Sequence, residues 1–449
     1  MFTTYKKWSD TQTEGLSLSL SLSLRLPPPE GSSSAAISCN LEKEGVMSLL
    51  SISRRKCWNA YLMIFSPIAL LLITSSSIWS LRPQIPDLKS SPPPPRSSPY
   101  HDWEFFNADY EEMLSKLRIY VYPDALNANT SSSAVFLPHP DPLNPKIGNY
   151  YSEHAFKLAL LRSSLVTQRP NHAHFFFMPF SINIMRYHPL VRSESSISTF
   201  VANYVTKISS ESAHWNASGG ADHFFVCCHS VGREATSQHS ALRNNAIQIT
   251  CSSSYFQRLY TPHRDIALPQ VWPRPDHQTL IPPHQRSKHV FFAGRAQNSV
   301  ARQEVLRLWG NDSLFRIFSG HSSMPYEEGF MRSRYCLHIK GYEVNTARVV
   351  DAIHYGCVPL LISNYYDLPF ANILDWSKFS IIVNQNDIPQ LKNIITSVPE
   401  QTYLDLYHSL CVVRKHFRWS AVPQSQSYDA FHMTAYQLWL RRGLHRVAS

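Results

Sequence analysis

Residues 335–370 read YCLHIKGYEVNTARVVDAIHYGCVPLLISNYYDLPF and hold the chain's densest set of charged and turn-forming groups. An apolar run ends at Lys340-Gly341, a polar turn follows, and a helix is expected to start near Asn345 or Thr346, either of which can cap it. Gly356 falls where a left-handed residue closes a helix, and a second apolar run begins at once. Strand, helix and strand in this order make a βαβ unit, whose strand end and helix N-terminus form the place where α/β folds receive phosphate groups. Lys340, Arg348 and, further upstream, Arg295 offer positive charge to such an anion. Arg348 and Asp351 share one helix face, and the alternative to a binding role for them is a local surface pair.

Proton transfer needs a carboxylate or imidazole within reach of a hydroxyl. His229, closing the apolar run HFFVCCH, is one candidate, and Glu153 in YYSEHAF is the other, although a glutamate at a helix N-terminus often serves as a cap. Asp222 and His223 read as structural. No Asp-x-Asp motif and no Cys-x-x-Cys pair occurs, so no metal is expected. Cys227, Cys228, Cys251, Cys336, Cys357 and Cys411 allow one or two disulfides or buried thiols, with the pairing open.

These residues sit among short apolar runs at 117–122, 172–178, 223–228, 288–293, 335–339, 358–362 and 380–383. Helical segments are expected at 153–166, 299–308, 327–334, 344–355 and 403–417. Such alternation predicts an α/β fold with parallel sheets. The Pro-rich stretch 273–288 separates two halves, read as Rossmann-like domains at 101–285 and 286–449 facing a cleft. Of the 449 residues 43% are apolar and 12% aromatic, enough for large cores. The net charge of +10 is spread without a block of Lys and Arg, which argues against nucleic acid and fits anionic substrates.

Residues 58–81, WNAYLMIFSPIALLLITSSSIWSL, carry no charge and are long enough to cross about 30 Å of hydrocarbon. Arg54, Arg55 and Lys56 precede them, so a type II signal anchor is expected, with residues 1–57 cytoplasmic and the remainder lumenal. A signal peptide cleaved near Ser75–Ser77 is the alternative. Residues 82–100 read as a Pro/Ser-rich stem, and the sequons at Asn129, Asn216 and Asn311 fall on the lumenal side. The run LSLSLSLSLRL at 16–26 is what a translated CT dinucleotide repeat yields, so 1–46 is read as foreign to this plan and translation is expected to start at Met47.

Residues 340–359 fit the pattern K/R-G-x-E-x-x-x-x-R-x-x-D/E-A-I-x-x-G-C-V-P, followed by NYYDLPF and LDWSKFS. With LRIYVYPD, YYSEHAF, GADHFFVCCH, DIALPQVWP, FFAGRAQN and YDAFHMTAYQLWLRR, this resembles plant exostosin-like family-47 glycosyltransferases over about residues 117–440. Within them it is most similar to the xylogalacturonan xylosyltransferase-like group. The resemblance implies a GT-B fold of two Rossmann-like domains and a Golgi membrane enzyme. Its implied reaction moves a sugar, with inversion, from a UDP-sugar (xylose, galactose or arabinose) to pectin or hemicellulose. By that resemblance Asp351 holds the donor ribose, Arg295, Lys340 and Arg348 reach the diphosphate, and Glu343 touches donor sugar or ribose. Trp215, Trp272 and Tyr342 are candidates to stack on sugar faces. Family members carry His-Asp where this chain has His229-Ser230, a departure that fits an inactive partner subunit of a Golgi transferase complex as the alternative.

Overall fold

Strands whose side chains are apolar on both faces must be covered on both sides, and in the computed structural model the apolar runs form two parallel sheets. Described are residues 98–125, 133–136, 148–189, 191–256, 259–272, 279–320, 324–419 and 428–443. The expected tail, anchor and stem as far as residue 97, together with Asn129, lie outside the described residues. Among the described residues no helix is long and apolar enough to cross a membrane.

The first sheet comprises β1 (Ile119–Val121), β2 (Val166–Thr167), β3 (Phe175–Phe177), β4 (His223–Cys227), β5 (Ile247–Thr250) and β6 (Ile266–Ala267), in the order β2-β1-β3-β4-β5-β6. The second comprises β7 (Ser287–Ala293), β8 (Phe315–Phe318), β9 (Ser333–Ile339), β10 (Val358–Ile362) and β11 (Ile381–Ile382), in the order β11-β10-β9-β7-β8. In each, the chain starts on an inner strand, runs to one edge and returns to the far side of its starting strand. The strand order thus reverses between β1 and β3, and again between β7 and β9. Ligands of open parallel sheets bind beyond the carboxyl ends at such a switch.

β2, β5, β6 and β8 were not expected: they are short, and IQIT and FRIF mix polar with apolar residues. The helix expected from residue 344 begins instead at Arg348 and runs to Tyr355. His338 holds the intervening turn out of helix, its ring bonding the Val344 carbonyl at 3.0 Å and the Thr346 hydroxyl at 3.1 Å. Gly356 closes the helix with φ 72°, as expected. Helix Tyr326–Arg332 ends before Ser333 and Arg334, which belong to β9. Trp215 is 4% exposed and packs against His223, so it is a core residue rather than a stacking platform. Asn216 and Asn311 are exposed. The cysteines pair as Cys228–Cys251 and Cys336–Cys357, each joining neighbouring strands, while Cys227 and Cys411 remain thiols.

The C-terminal helix Ala430–Arg441 returns to the first sheet. Phe431, Tyr436 and Trp439 share one apolar cluster with Phe156, Phe175 and Phe177. Asp109 accepts hydrogen bonds from Tyr436 Oη and Trp439 Nε1, both at 2.9 Å. His416 knots the two ends of the region: Tyr100 Oη lies 2.7 Å from Nε2 and the Tyr428 carbonyl 2.6 Å from Nδ1. Burial lowers its pKa from 6.5 to about 3, and neighbouring Lys415 adds to the shift. Because the folded pKa is depressed, the unfolded chain takes up a proton near pH 6.5 that the folded ring refuses; stability is complete above that pH and lost as pH falls towards 3. Thermal unfolding followed by circular dichroism is expected to shift steadily downward from about pH 6.5 to about pH 4, and His416→Gln to flatten the slope. An unaltered slope would remove His416 as its source.

Candidate functional site

Beyond the carboxyl ends of the strands lies a cavity of about 1100 Å³. From the first half it is lined by Tyr150, His229, Ser230, Gln270 and Trp272. From the second come Gly294 and Arg295 after β7, Gly341 to Glu343 after β9, Arg302, Tyr326, and the turn leading to Arg348. The second half's contribution therefore surrounds its topological switch.

Two arginines dominate this wall. Arg302 is 3% exposed and donates to the carbonyls of Ile339 (3.2 and 2.9 Å) and Arg295 (3.1 Å). Arg348 donates from Nε to the Ala293 carbonyl at 2.7 Å. Carbonyls orient these guanidiniums without neutralising them, and both lie over the Phe292 ring, at 5.6 and 5.4 Å. Burial, helped by the neighbouring Arg348 charge, lowers the Arg302 pKa to about 10, so it stays cationic at neutral pH. The glycines make the room: a Cβ on Gly294 would lie 2.6 Å from Arg348 Nη2, and one on Gly341 2.9 Å from Arg302 Nη2. Clustered, oriented cations with no carboxylate partner among the described residues, placed at a strand-end switch, can receive an anion.

Of the expected donor-side residues, Arg295, Glu343 and Arg348 line the cavity. Asp351, 1% exposed, stands behind it and accepts a 2.7 Å bond from Tyr326 Oη, whose residue does line it. Lys340 contributes its carbonyl, which accepts from Ser299 Oγ at 2.7 Å. Glu343 is held across the cleft: Arg233 Nη2 donates to its oxygens at 3.0 and 3.2 Å, and the Ser252 hydroxyl donates to Oε2. A second crossing joins Asn345 Nδ2 to Gln270 Oε1 at 2.6 Å. Asn345 Oδ1 is buried in the cavity wall with no hydrogen-bond partner among the described residues, which leaves an acceptor for a ligand.

His229 lines the cavity against the Tyr150 ring and caps helix Ser230–Ser237, its Nδ1 accepting from Val231 N at 3.1 Å. Burial, with Arg186 and Arg233 nearby, drops its pKa to about 4. The imidazole is therefore neutral, and because the hydrogen-bond network commits the Nδ1 lone pair, the ring proton is assigned to Nε2. Facing a ligand, this ring is a donor. Glu153, 2% exposed, lies outside the cavity lining and accepts from Ser181 Oγ, from Cys228 N at 3.2 Å and from Asn183 N at 3.3 Å. It braces the exit of β4 from behind, and burial raises its pKa. Trp272 and Tyr342, 36% and 87% exposed, remain at the rim. Among the described residues no group of three or more His, Cys, Asp or Glu is placed to hold a metal ion.

The Exostosin GT47 domain family matches residues 113–398, which contain every residue lining this cavity. The chain belongs to this exostosin family. An Arabidopsis thaliana relative described as a probable glycosyltransferase is 33% identical over 76% of this chain, and the match spans 65% of that relative's own length. A second Arabidopsis protein of the same description is 31% identical, covering 78% of this chain and 73% of its own. A third, described as a probable beta-1,4-xylosyltransferase, is 27% identical over 72% of this chain and 81% of its own.

Arg302, Tyr326, Arg233 and Gln270 escaped the sequence reading of this exostosin domain. Arg302 had a local signal, since Ser299 caps its helix and sets it in the first turn beside β9. Arg233 had none, because its partner Glu343 is 110 residues away. Either Glu343→Ala or Arg233→Ala is expected to cost ~1–3 kcal/mol of stability by orphaning the other charge, and the double variant less than the sum. Chemical denaturation measures this cycle; additive losses would show that the pair is not coupled.

Proposed function

We propose that the protein transfers a sugar from a UDP-sugar to a plant cell-wall polysaccharide, pectin or hemicellulose, with inversion and without a metal. The observation that carries this reading is the pair Arg302 and Arg348, fixed by carbonyls and without a carboxylate partner among the described residues, at the switch of the second sheet. As the bond between the sugar and the diphosphate breaks, its electrons leave with UDP, and cations already in place stabilise that charge without reorganising. Arg295, exposed at the cavity rim, adds a third cation. Asp351 fixes the Tyr326 hydroxyl, which presents the ribose-side contact in its stead. The strand-end cleft between two switch-type sheets supports a GT-B reading of the fold. The charge-free segment at residues 58–81 supports a Golgi anchor with this cleft on the lumenal side.

For inversion, a base must take the acceptor hydroxyl's proton as its oxygen bonds to the anomeric carbon. His229, with Nδ1 committed to Val231 N, cannot accept at Nε2. Glu343 is the carboxylate among the described lining residues, and Arg233 and Ser252 hold it across the cleft, so the role falls to Glu343. The committed His229, followed by Ser230, equally favours a second reading as a donor-binding but inactive partner subunit.

Calorimetric titration with UDP in EDTA is expected to give binding, weakened by ~1–3 kcal/mol in Arg348→Ala. Absence of binding until manganese is added would overturn the arginine-based site. In a transfer assay, Glu343→Gln is expected to lose roughly 10²–10⁴-fold in rate while UDP affinity stays within a few-fold. UDP binding without transfer by the unaltered protein would select the inactive-partner reading.

A further inference from the structure

A second cavity, of about 430 Å³, opens beyond the carboxyl end of β10 and takes no part in the chemistry above. Among the described residues no charged side chain lines it; Ser363, Asn364, Tyr365 and Asn384 mix with aliphatic residues. Tyr365 belongs to a group of exposed rings: Tyr255 is 57% exposed, Phe256 80% and Tyr365 60%. The Phe256 and Tyr365 ring centroids are 5.5 Å apart.

This surface is built rather than incidental. Tyr365 sits at φ 66°, a left-handed conformation costly for an aromatic residue and kept only where surroundings enforce it. The enforcement is visible: Tyr255 N donates to the Tyr365 carbonyl at 2.8 Å, and Ser254 and Tyr366 form an antiparallel bridge. Tyr255 Oη donates to Asp367 Oδ1 at 2.7 Å, and Tyr260 Oη donates to the other carboxylate oxygen.

The rings also lie on a path from the reaction cavity. Ser252 binds Glu343 there, and Ser253 Oγ donates to the Asp367 carbonyl at 2.7 Å. Ser363 Oγ donates at 2.9 Å to the carbonyl of Val344, the neighbour of Glu343. Residues 252–256 and 363–367 thus run outward together, and four residues of chain reach at most ~14 Å.

We propose that an uncharged stretch of the acceptor polysaccharide, beyond the sugar that reacts, lies across Tyr255, Phe256 and Tyr365. The inference rests on the transferase reading above. Ring faces carry partial negative charge and flat apolar area, which suit the C–H faces of sugars. Asn364 and Asn384, joined at 3.4 Å, bring the mixed donors and acceptors that hydroxyls need. A polyanion is disfavoured, because the described lining residues include no cation and the Asp367 carboxylate is joined to the Tyr255 hydroxyl at the edge of the ring group.

The test is calorimetry on the purified full chain with neutral xylo-oligosaccharides and xyloglucan oligosaccharides of increasing length, with oligogalacturonides as the charged comparison. Affinity is expected to grow with length in a neutral series and to fall roughly two- to tenfold in Phe256→Ala and in Tyr365→Gly. Glycine keeps the left-handed backbone while deleting the ring. Length-independent neutral binding, indifference to ring removal, or preference for oligogalacturonides overturns the proposal. UDP titration of the same samples separates the two readings. Protein that takes UDP but no neutral glycan sinks only the platform, whereas ring-dependent glycan binding without UDP upholds the platform and removes the transferase.

Discussion

Like charges repel, and in this protein two guanidiniums are nonetheless held together over one phenylalanine ring at the end of a sheet. Much of the second half follows from keeping them there. β7 must run into Gly294 so that Arg348 can lie on it, and Gly341, two residues beyond β9, makes the same room for Arg302. The carbonyls at these strand ends become the acceptors that aim the side chains. Among the described residues, carbonyls and a ring face are what hold the two charges together, an arrangement suited to a ligand that brings negative charge.

The turn at 341–347 is the other constraint. A helix extended to Val344 would carry Glu343 and Asn345 away from the first half, and the two crossings to Arg233 and Gln270 would be lost. His338, buried and neutral, with its pKa pushed down to about 3, prevents this by hydrogen bonding within the turn. Glu153 does comparable work opposite, tying down Cys228 N so that His229 leaves β4 in a fixed direction. Each wall of the cleft is thus set by a buried titratable group that does not face it.

Much of this was legible in the sequence where it depends on neighbours along the chain. The βαβ unit, its Gly356 cap, and the placement of Arg295 and Arg348 at a strand end and a helix start all follow from residue type and spacing. What the sequence hid was long-range. Glu343 looked like a ligand contact, and its pairing with Arg233 depends on how two sheets meet. Asp351 was expected in the cavity, but a residue one turn into a helix lies behind the side chain that packs over it, here Tyr326. Glu153 and His229 looked equivalent as bases; burial and one backbone N–H distinguish them. The short strands β2 and β6 carry too few residues for any periodicity to show.

The helix at 430–441 also governs how the molecule comes into being. Asp109 waits 330 residues for Trp439, so the first sheet emerges from the ribosome with an aromatic face that nothing yet made can roof. That face stays uncovered throughout synthesis of the second half, and exposed apolar surface of this kind favours misassociation until residues 430–441 dock. A chain cut short before Ala430 could hold every residue of the cleft and still present that open face to quality control. The helix at 430–441 thus closes, from the far side of the sequence, a sheet that begins at residue 119.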